Sequence, residues 1–442
     1  MRVMVKCGAG IDVHKKNVVV NCRRVEGKTI ETDTRTFGTT TAELLTMTDW
    51  LASWGVTHVA MESTGVYWHP VYNLLEGSYE VLVVNAKHIK HVPGRKTDVK
   101  DAEWIAELLS YGLLKASFVP EKPQRDVRDL TRYRTKLVQE RAREVNRVQK
   151  LLEGANIKLA SVATDILGVS GRLMLDALIT GEADEKTMAE MAKGRMRSKI
   201  PELEQALTGI VSDHHRFLLS QQLTHIDFMD EQIAKISHEI STRLEKMSQE
   251  LPPSSTTVDQ DQHEPTEADE TPLTWSVAVE LLDTVPGINQ RAAESILAET
   301  GIDMAQFPSD KHLTAWAGLA PGNNESGGKR YSGRTRKGNQ TLRTMMVQVA
   351  QAASRKKGSY ASTLYKRLAA RRGKKRAIIA VARSLLVSIY HMLTRQKEYE
   401  DLGSDYFQER RKENKVDYLT RQLAKLGYEV QLAPHPDPAG AG

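Results

Sequence analysis

Short apolar runs rich in β-branched residues open the chain and predict a mixed α/β start. Runs at 9–13 and 17–22 are separated by the turn-like sequence His-Lys-Lys, and a third run at 29–37 follows Glu-Gly-Lys. Runs joined by such short polar connections are typical of neighbouring strands. The pattern therefore predicts that the chain begins with three antiparallel strands.

Helical and strand patterns alternate after this start. Helical spacing at 41–54 predicts a helix, and apolar runs at 57–61 and 80–84 predict buried strands with helical sequence between and after them. Thr97 is a candidate N-cap for a helix that ends near Leu114.

A long helix is predicted from Pro123 to about Leu152, since proline is favoured in a first helical turn. Its apolar stripe lies opposite a basic face. Such a face is typical of a solvated surface or of a helix that faces nucleic acid, and the sequence leaves both interpretations open. The basic face consists of Arg125, Arg128, Arg132, Arg134, Arg141, Arg143, Arg147 and Lys150.

A second long stretch, 201–251, carries apolar residues at helical spacing, among them Ile210 and Phe217. It predicts an antiparallel coiled coil with the Pro123 helix, or a dimerisation seam. Residues 252–272 contain four prolines, six acids and no Lys or Arg, which is typical of a disordered acidic linker. Helices are then predicted on both sides of the turn at 285–288, and the end of the tail after about 401 is predicted to be frayed.

Composition narrows the class of protein. The chain is 40% hydrophobic and 27% charged, as in soluble globular proteins. No apolar run reaches the length of a bilayer span, and charges interrupt the N-terminus, so neither a membrane segment nor a signal peptide is predicted. Cys7 and Cys22 are the only cysteines. They predict no zinc site or disulfide framework and fit a reducing cytoplasm.

Charge is distributed very unevenly. Residues 326–397 contain no Asp or Glu but 19 Lys and Arg, although the whole chain has a net charge of only +6. The remainder has 43 basic residues against 56 acidic ones. A basic block of this kind suits a polyanion, because each neutralised phosphate releases counterions.

Four carboxylates are candidates for catalytic work. Asp12 lies inside an apolar strand, where a carboxylate is costly unless it is paired, solvated or bound to metal. Glu62 ends another strand, and Asp98 and Asp101 share one face of the predicted helix. Such acids could hold one or two Mg²⁺ ions that polarise a phosphodiester. Three of them are also compatible with ordinary structural roles: a turn cap for Glu62, a favourable helix first turn for Asp98 and simple solvent exposure for Asp101.

These acids carry a resemblance to a family. Residues 10–15 (Gly-Ile-Asp-Val-His-Lys), 61–68 (Met-Glu-Ser-Thr-Gly-Val-Tyr-Trp) and 96–102 (Lys-Thr-Asp-Val-Lys-Asp-Ala) resemble motifs of the DEDD transposases of bacterial insertion sequences. The similarity is to the one-ten family of bridge-RNA-guided recombinases. It implies a ribonuclease-H-like, RuvC-like α/β domain in which Asp12, Glu62, Asp98 and Asp101 hold metal ions, expected to be a pair of Mg²⁺.

Ser326 begins the basic block, in a glycine-rich loop. Glycines let a backbone approach a phosphate, but a serine hydroxyl needs activation to act as a nucleophile. By spacing alone, a loop in which Ser326 only touches a phosphate is favoured. The resemblance reverses this, because Ala-Gly-Leu-Ala-Pro at 317–321, Ser326-Gly327, Lys-Gly-Asn at 337–339 and Leu342-Arg343 follow the order of the family's transposase domain, whose serine attacks DNA.

Several further residues are predicted to contact nucleic acid, mainly through phosphate. Gly287 lies in a Pro-Gly turn that resembles a helix-hairpin-helix, whose amides can bind a phosphate. The other candidates are Gly327, Lys329, Arg330, Arg334, Arg336, Lys337, Arg343, Arg371, Arg372, Lys374, Lys375 and Arg376.

The resemblance spans about residues 8–400 and implies how the chain is organised. It implies a ribonuclease-H-like domain at 1–120, a helical coiled-coil or dimerisation region at 121–251 and a mainly α transposase domain at 273–400. The acidic linker at 252–272, predicted from composition, looks like a local addition to this plan, and the tail at 401–442 is unassigned.

The resemblance also implies how the protein acts. It predicts a homo-tetramer, built as a dimer of dimers, in which acid and serine domains of different subunits form one active site. The predicted partners are donor DNA, target DNA and a structured bridge RNA, with no membrane, in the bacterial cytoplasm at the nucleoid. Two other functions stay open: a metal-dependent nuclease or Holliday-junction resolvase that uses water, and a non-catalytic RNA- or DNA-binding scaffold.

Overall fold

A computed structural model describes residues 2–63, 65–85, 101–250, 272–322, 324–326, 329–335 and 337–426. The chain divides into two compact units, Met1–Pro120 and Glu121–Gly442. The predicted acidic linker, apart from Pro272, lies outside the described residues, as does the proposed N-cap Thr97.

The first unit contains a five-stranded mixed sheet with the strand order β3-β2-β1-β4-β5. Strands β1 (Cys7–Val13), β2 (Asn17–Glu26) and β3 (Thr29–Gly38) are antiparallel, as predicted. Strands β4 (His58–Glu62) and β5 (Glu80–Val84) continue the sheet parallel to β1. This order and these directions are consistent with a ribonuclease-H-like fold.

Helices α1 (Thr41–Ser53), α2 (Trp68–Leu75) and α3 (Asp101–Ser110) complete the described part of this unit. Alternate residues of the strands face opposite sides of the sheet. Ile11 and Met61 join the larger core on one side, which includes residues of α1 and α2. Ala60 packs on the other side against Ile105 and Leu108 of α3.

Gly10 allows α3 to lie directly on the sheet. A Cβ added at Gly10 would be 2.2 Å from the carbonyl oxygen of Ala102 and 2.4 Å from the nitrogen of Ala106, both backbone atoms of α3. The closeness of this contact explains why a glycine occupies the middle of a strand, where it is otherwise unfavourable.

We expect Gly10→Ala to lower the free energy of unfolding by about 1–3 kcal/mol, because the helix must shift away from the sheet. Urea unfolding followed by tryptophan fluorescence measures this. The matched control is Gly77→Ala, because a Cβ there would meet nothing within 4 Å. Equal stability of the two variants would show that α3 does not press on β1.

The second unit is built around two long helices, α4 (Lys122–Gly154), as predicted from Pro123, and a later helix at 213–249. Ion pairs between them join Asp126 to Arg243 and Arg141 to Asp230. The residue numbers rise on one helix as they fall on the other, so the helices pack antiparallel within one chain.

The region between these helices forms a small helical cluster that the sequence pattern did not reveal. Its helices are α5 (Leu159–Val162), α6 (Val169–Thr180), α7 (Glu185–Glu190) and α8 (Ile200–Leu207), with a 3₁₀ helix at Gly194–Lys199. Their apolar side chains share one core with both long helices.

The prediction of one continuous periodic stretch at 201–251 is wrong at its start. Helix α8 ends at Leu207, and α9 (Asp213–Gln249) begins after a break. Gly209 approaches Ala155 closely, and the amide of Ile210 donates to the Ala155 carbonyl at 2.8 Å. As a result Ile210 and Phe217 are exposed rather than part of the apolar seam.

The remaining helices form the C-terminal part of the second unit. They are α10 (Trp275–Asp283), α11 (Gln290–Thr300), α12 (Asp310–Trp316), α13 (Gln340–Ala353), α14 (Tyr360–Arg372), α15 (Lys374–Arg395) and α16 (Tyr406–Lys425), with a 3₁₀ turn at Met304–Gln306. The tail therefore contains a helix, α16, before the final residues, 427–442, which lie outside the described residues.

Helix α15 corrects one expectation from the sequence. Among the described helices it alone is long and apolar enough to cross a membrane, although no apolar run of that kind was predicted. Its residues Val381, Leu385 and Ile389 are buried in the protein core. Core helices of globular proteins often have this composition, so the finding is weak evidence for a membrane span.

Candidate active site

Asp12 and Glu62 lie beside each other on adjacent parallel strands. In the register of β1 and β4, Gly10 pairs with Ala60 and Ile11 with Met61. The next step along both strands reaches Asp12 and Glu62. Because side chains alternate along a strand, both acids share the side of the sheet on which Gly10 and Ala60 meet α3.

Asp101 lies at the same edge of the sheet, because α3 runs antiparallel to β1. Gly10, in the middle of β1, lies close to Ala102 at the start of α3, whereas Gly8, near the beginning of β1, lies close to Leu109 near the end of α3. The first residue of α3, Asp101, is thus carried to the carboxyl ends of β1 and β4. Asp98, its predicted partner, lies outside the described residues.

His14 is a neighbour of this site that the sequence reasoning did not single out. Its Nε2 lies 3.0 Å from Oδ2 of Asp12, whose side chain is 19% exposed. The signal was available, since residues two apart in an extended segment point to the same side. His14 can therefore donate a hydrogen bond to Asp12 and hold the orientation of its carboxylate.

The donor chemistry of this edge fits magnesium, which prefers carboxylate oxygens and keeps part of its shell for water and phosphate. Asp12, Glu62 and Asp101 supply such oxygens from two strands and one helix. Within the described ranges, no three His, Cys, Asp or Glu side chains are arranged to hold a metal ion. The metal-binding role of the four acids therefore stays a prediction.

Ser326 belongs to a β-hairpin, whereas the sequence predicted a glycine-rich loop. It is the last residue of β6 (Asn324–Ser326), and its backbone pairs with Lys329, the first residue of β7 (Lys329–Ser332). Only Gly327 and Gly328 separate the strands in sequence. A two-residue glycine connection favours a tight hairpin, which explains the difference.

The base of this hairpin is tightly built. A Cβ at Gly322 would lie 2.2 Å from the carbonyl oxygen of Arg334, so the two arms meet backbone to backbone. A Cβ at Gly338 would lie 2.4 Å from the carbonyl oxygen of Trp316, to which the amide of Asn339 donates at 2.9 Å. The first contact joins the two arms to each other, and the second joins the segment that follows the hairpin to the end of α12.

Asn339 also links the hairpin to a buried carboxylate. Its Oδ1 accepts from the amide of Leu342 at 3.1 Å and so caps α13, while its Nδ2 donates to Glu299 at 2.6 Å. Glu299 is a residue of α11 whose side chain is only 1% exposed. The segment that follows the hairpin is thereby held to the interior of the unit.

Glu299 is neutralised by the basic face of α4. Arg132 donates to both of its carboxylate oxygens, at 2.7 and 2.9 Å, and Arg128 approaches at 3.4 Å. Burial lowers the pKa of Arg128 to about 10, and the charge of Glu299 opposes this shift. Arg128 therefore remains charged at neutral pH.

A second buried pair lies close by along the same helices. Arg134 donates to Glu294 at 2.6 Å, and both side chains are less than a twentieth exposed. Arg141 instead pairs with Asp230 of α9. Arg128, Arg132 and Arg134 on the basic face of α4 thus bind the acids of α11. At these three positions the face is neither simply solvated nor available to nucleic acid.

We expect Glu299→Gln to lower the free energy of unfolding by about 3 kcal/mol or more, because it leaves two arginine charges without their buried partner. Urea unfolding of the full chain measures this. The control is Asp230→Asn, which weakens the ion pair with Arg141. Because the side chain of Asp230 is 47% exposed, this change should lower the free energy of unfolding by about 1 kcal/mol or less. Equal losses in the two variants would contradict a special role for the buried pair.

The turn at Gly287 has a clear packing role. Gly287 has φ +89°, and a Cβ there would lie 2.8 Å from the carbonyl oxygen of Val349 and 2.9 Å from the Cβ of Ala352. Glycine is needed for both reasons, so the turn packs against α13. The helices on either side confirm the predicted helix–turn–helix, whereas phosphate binding by Gly287 stays a prediction.

The described basic candidates lie where phosphate can reach them. Lys329, Arg334 and Lys337 of the hairpin region are exposed, and Arg343 is half-buried. The cluster where α14 ends and α15 begins is exposed throughout, namely Arg371, Arg372, Lys374, Lys375 and Arg376. Gly327 and Arg336 lie outside the described residues, as does the side chain of Arg330. Nucleic-acid binding by these residues remains a prediction.

Comparison with known proteins identifies two matching segments. Residues 9–157 match the transposase model DEDD_Tnp_IS110, and residues 279–366 match the model described as Transposase IS116/IS110/IS902 family. The first segment contains the four predicted acids, and the second contains the hairpin with Ser326.

Individual relatives agree with these models. The transposase for insertion sequence element IS1111A from Coxiella burnetii is 25% identical over 79% of this chain and 81% of its own length. A probable family 20 transposase from Pseudomonas aeruginosa is 23% identical over 67% of this chain and 71% of its own. A pilin gene-inverting protein from Moraxella bovis is 31% identical over 27% of this chain and 38% of its own.

The two family segments together cover the sheet with its acids and the hairpin with its serine, and the insertion-sequence relatives extend over most of the chain. The chain therefore belongs to the IS110 family of DEDD-type transposases of insertion sequences.

Proposed function

We propose that this transposase cuts and rejoins DNA through a covalent bond between Ser326 and a DNA phosphate. The observation that carries the proposal is the position of Asp12 and Glu62 at neighbouring places on parallel strands, with Asp101 at the same edge. Carboxylates and phosphodiesters are both negatively charged. Carboxylates at one edge can therefore face a reacting phosphodiester only if cations balance their charge. The basic block that begins at Ser326 supports the same substrate.

The proposed reaction has two balanced steps. The hydroxyl of Ser326 loses its proton, its Oγ forms a bond to phosphorus, and the bond from phosphorus to one deoxyribose oxygen breaks as that oxygen gains a proton. A deoxyribose hydroxyl of a second DNA end then attacks the same phosphorus, and Ser326 leaves with a proton restored. One phosphodiester is exchanged for another, so no external energy source is needed.

Each part of the chain has a role in this scheme. Asp12, Glu62, Asp98 and Asp101 would hold Mg²⁺, and His14 would orient Asp12. When bound, Mg²⁺ supplies electrostatic stabilisation of the phosphate oxygens and favours loss of the hydroxyl proton. The tight base of the hairpin would fix the direction of Ser326. Lys329, Arg334 and Lys337 would stabilise negative charge on the phosphate.

The proposal includes the partners that the resemblance implies. They are donor and target DNA, a structured bridge RNA that chooses them, and three further copies of the chain in a dimer of dimers at the bacterial nucleoid. The relative named as inverting a pilin gene supports the view that related chains rearrange DNA.

A covalent-capture assay tests the proposal. The full-length protein is incubated with Mg²⁺, RNA transcribed from the DNA that flanks its coding sequence, and end-labelled DNA spanning one end of the element. We expect a protein–DNA species that survives denaturant and requires Mg²⁺. Cleavage without that species would favour a nuclease that uses water, and binding without cleavage would favour a scaffold.

A further inference from the structure

A basic cavity lies between α14 and α16, away from the hairpin in sequence. Its volume is about 390 Å³. Arg367 and Arg371 line it from α14, and Phe407, Arg410 and Arg411 line it from α16. All five residues follow the segment that matches the family model, which ends at residue 366. Leu364, near the end of that segment, and Leu368 complete the lining, so the cavity lies at and beyond the end of the matched part of the chain.

The tail that forms one wall of the cavity is firmly attached. Oδ1 of Asp401 accepts from the amide of Tyr360 at 2.8 Å and from the amide of Gly403 at 3.0 Å. The ring of Tyr360 also stacks on Phe407, with centroids 5.1 Å apart and an angle of 21° between the planes. The start of α16 is thus held against α14, and the cavity is a feature of the fold.

Aromatic side chains orient two of the guanidinium groups. That of Arg367 lies over the ring of Phe407, 4.9 Å from its centroid. Arg410 lies over Tyr406 at 5.8 Å, and its Nη1 donates to the Tyr406 hydroxyl at 2.7 Å. A guanidinium fixed in this way loses less freedom when it binds an anion, and its planar fork matches the oxygens of a phosphate.

The positive charge of the cavity has no acidic ion-pair partner among the side chains that the structure describes. Among the described side chains, no carboxylate forms an ion pair with Arg367, Arg371, Arg410 or Arg411. Like charges that converge on one cavity repel each other. An anion bound between the four arginine side chains would therefore be stabilised by all of them. This arrangement differs from α4, where the buried arginines are paired with glutamates.

We propose that this cavity binds the phosphate backbone of a polynucleotide, as a contact separate from the reacting phosphate. A base is not the favoured occupant, because Tyr360 and Arg367 already contact the ring of Phe407. Binding should therefore depend on charge rather than on base sequence. The inference goes beyond the proposed function and does not depend on Ser326 being a nucleophile.

The test measures binding of the full-length protein to fluorescent oligonucleotides over a range of salt concentrations. The double variant Arg367→Gln/Arg411→Gln should bind about tenfold more weakly, with a slope of log Kd against log salt smaller by about 2, one for each lost phosphate contact. The control is Arg421→Gln, at an exposed position further along α16, which should change neither quantity. Unchanged binding by the double variant, or an equal loss in the control, would overturn the proposal.

Two further measurements separate folding and ligand identity. Arg367→Lys/Arg411→Lys keeps both charges and should keep the salt slope, and a reduced slope in this variant would overturn the proposal that charge at these positions binds phosphate. Duplex DNA, single-stranded DNA and RNA are compared. A selective loss of affinity for one of them identifies the kind of polynucleotide that the cavity binds. If only inorganic tripolyphosphate binding depends on these arginines, the polynucleotide proposal is wrong.

Discussion

Replacing Ser326 with alanine is expected to abolish the covalent protein–DNA species and to lower strand transfer by at least about 10⁴-fold, because no other group can take over a lost nucleophile. DNA binding should be retained, since the hairpin and its basic residues remain. Single-turnover cleavage of labelled DNA, analysed under denaturing conditions, measures the loss.

The matched control is Ser332→Ala, a serine of β7 in the same hairpin. It should form the covalent species at a rate close to that of the unchanged protein. Cleavage by Ser326→Ala at an undiminished rate would mean that water is the nucleophile, and the chain would then be a nuclease or resolvase.

Replacing Asp12 with asparagine is expected to give the second-largest effect. The change removes one negative charge from the edge where β1 and β4 meet α3, while the shape of the side chain is kept. If Asp12 holds Mg²⁺, several kcal/mol of transition-state stabilisation are lost, and about 4 kcal/mol corresponds to roughly a 10³-fold lower rate. The rate is measured at several Mg²⁺ concentrations.

Asp33→Asn provides the control for this change. Asp33 lies on β3 at the far side of the sheet, where its partner is Arg35. Its replacement should leave the rate and its Mg²⁺ dependence as they were. Full activity of Asp12→Asn would show that the carboxylates do not take part in the reaction, whatever the role of Ser326.

The sequence predicted the elements whose signals are local. The three antiparallel strands, β4, β5, α1 and the helix from Pro123 all occur close to their expected positions, because each is set by its own spacing of apolar and polar residues and its own turn. The hairpin was missed because its strands are only three and four residues long, too short for alternation to be seen.

Long-range pairing was harder to predict. The basic face of α4 looked solvated or ready for nucleic acid, since nothing nearby in sequence marks Glu294 and Glu299 as its partners. Ile210 and Phe217 fitted an apolar stripe that the chain does not follow, because Gly209 and its contact with Ala155 break the helix there. Such contacts depend on how distant segments pack.

The candidate site was predicted in part. Each acid could be picked out as a costly or well-spaced carboxylate, but the neighbouring positions of Asp12 and Glu62 depend on the parallel pairing of β1 and β4. That pairing is a property of the whole sheet. It cannot be read from the five residues of β4 or the seven of β1 alone. His14 was overlooked because its importance follows from its contact with Asp12.

The most direct test of the central claim is to identify the residue that carries DNA. The denatured covalent species is digested with nuclease and protease, and its peptides are sequenced by mass spectrometry. We predict that the nucleotide phosphate remains on Ser326. A nucleotide attached to any other residue, or efficient cleavage with no modified peptide, would contradict the account.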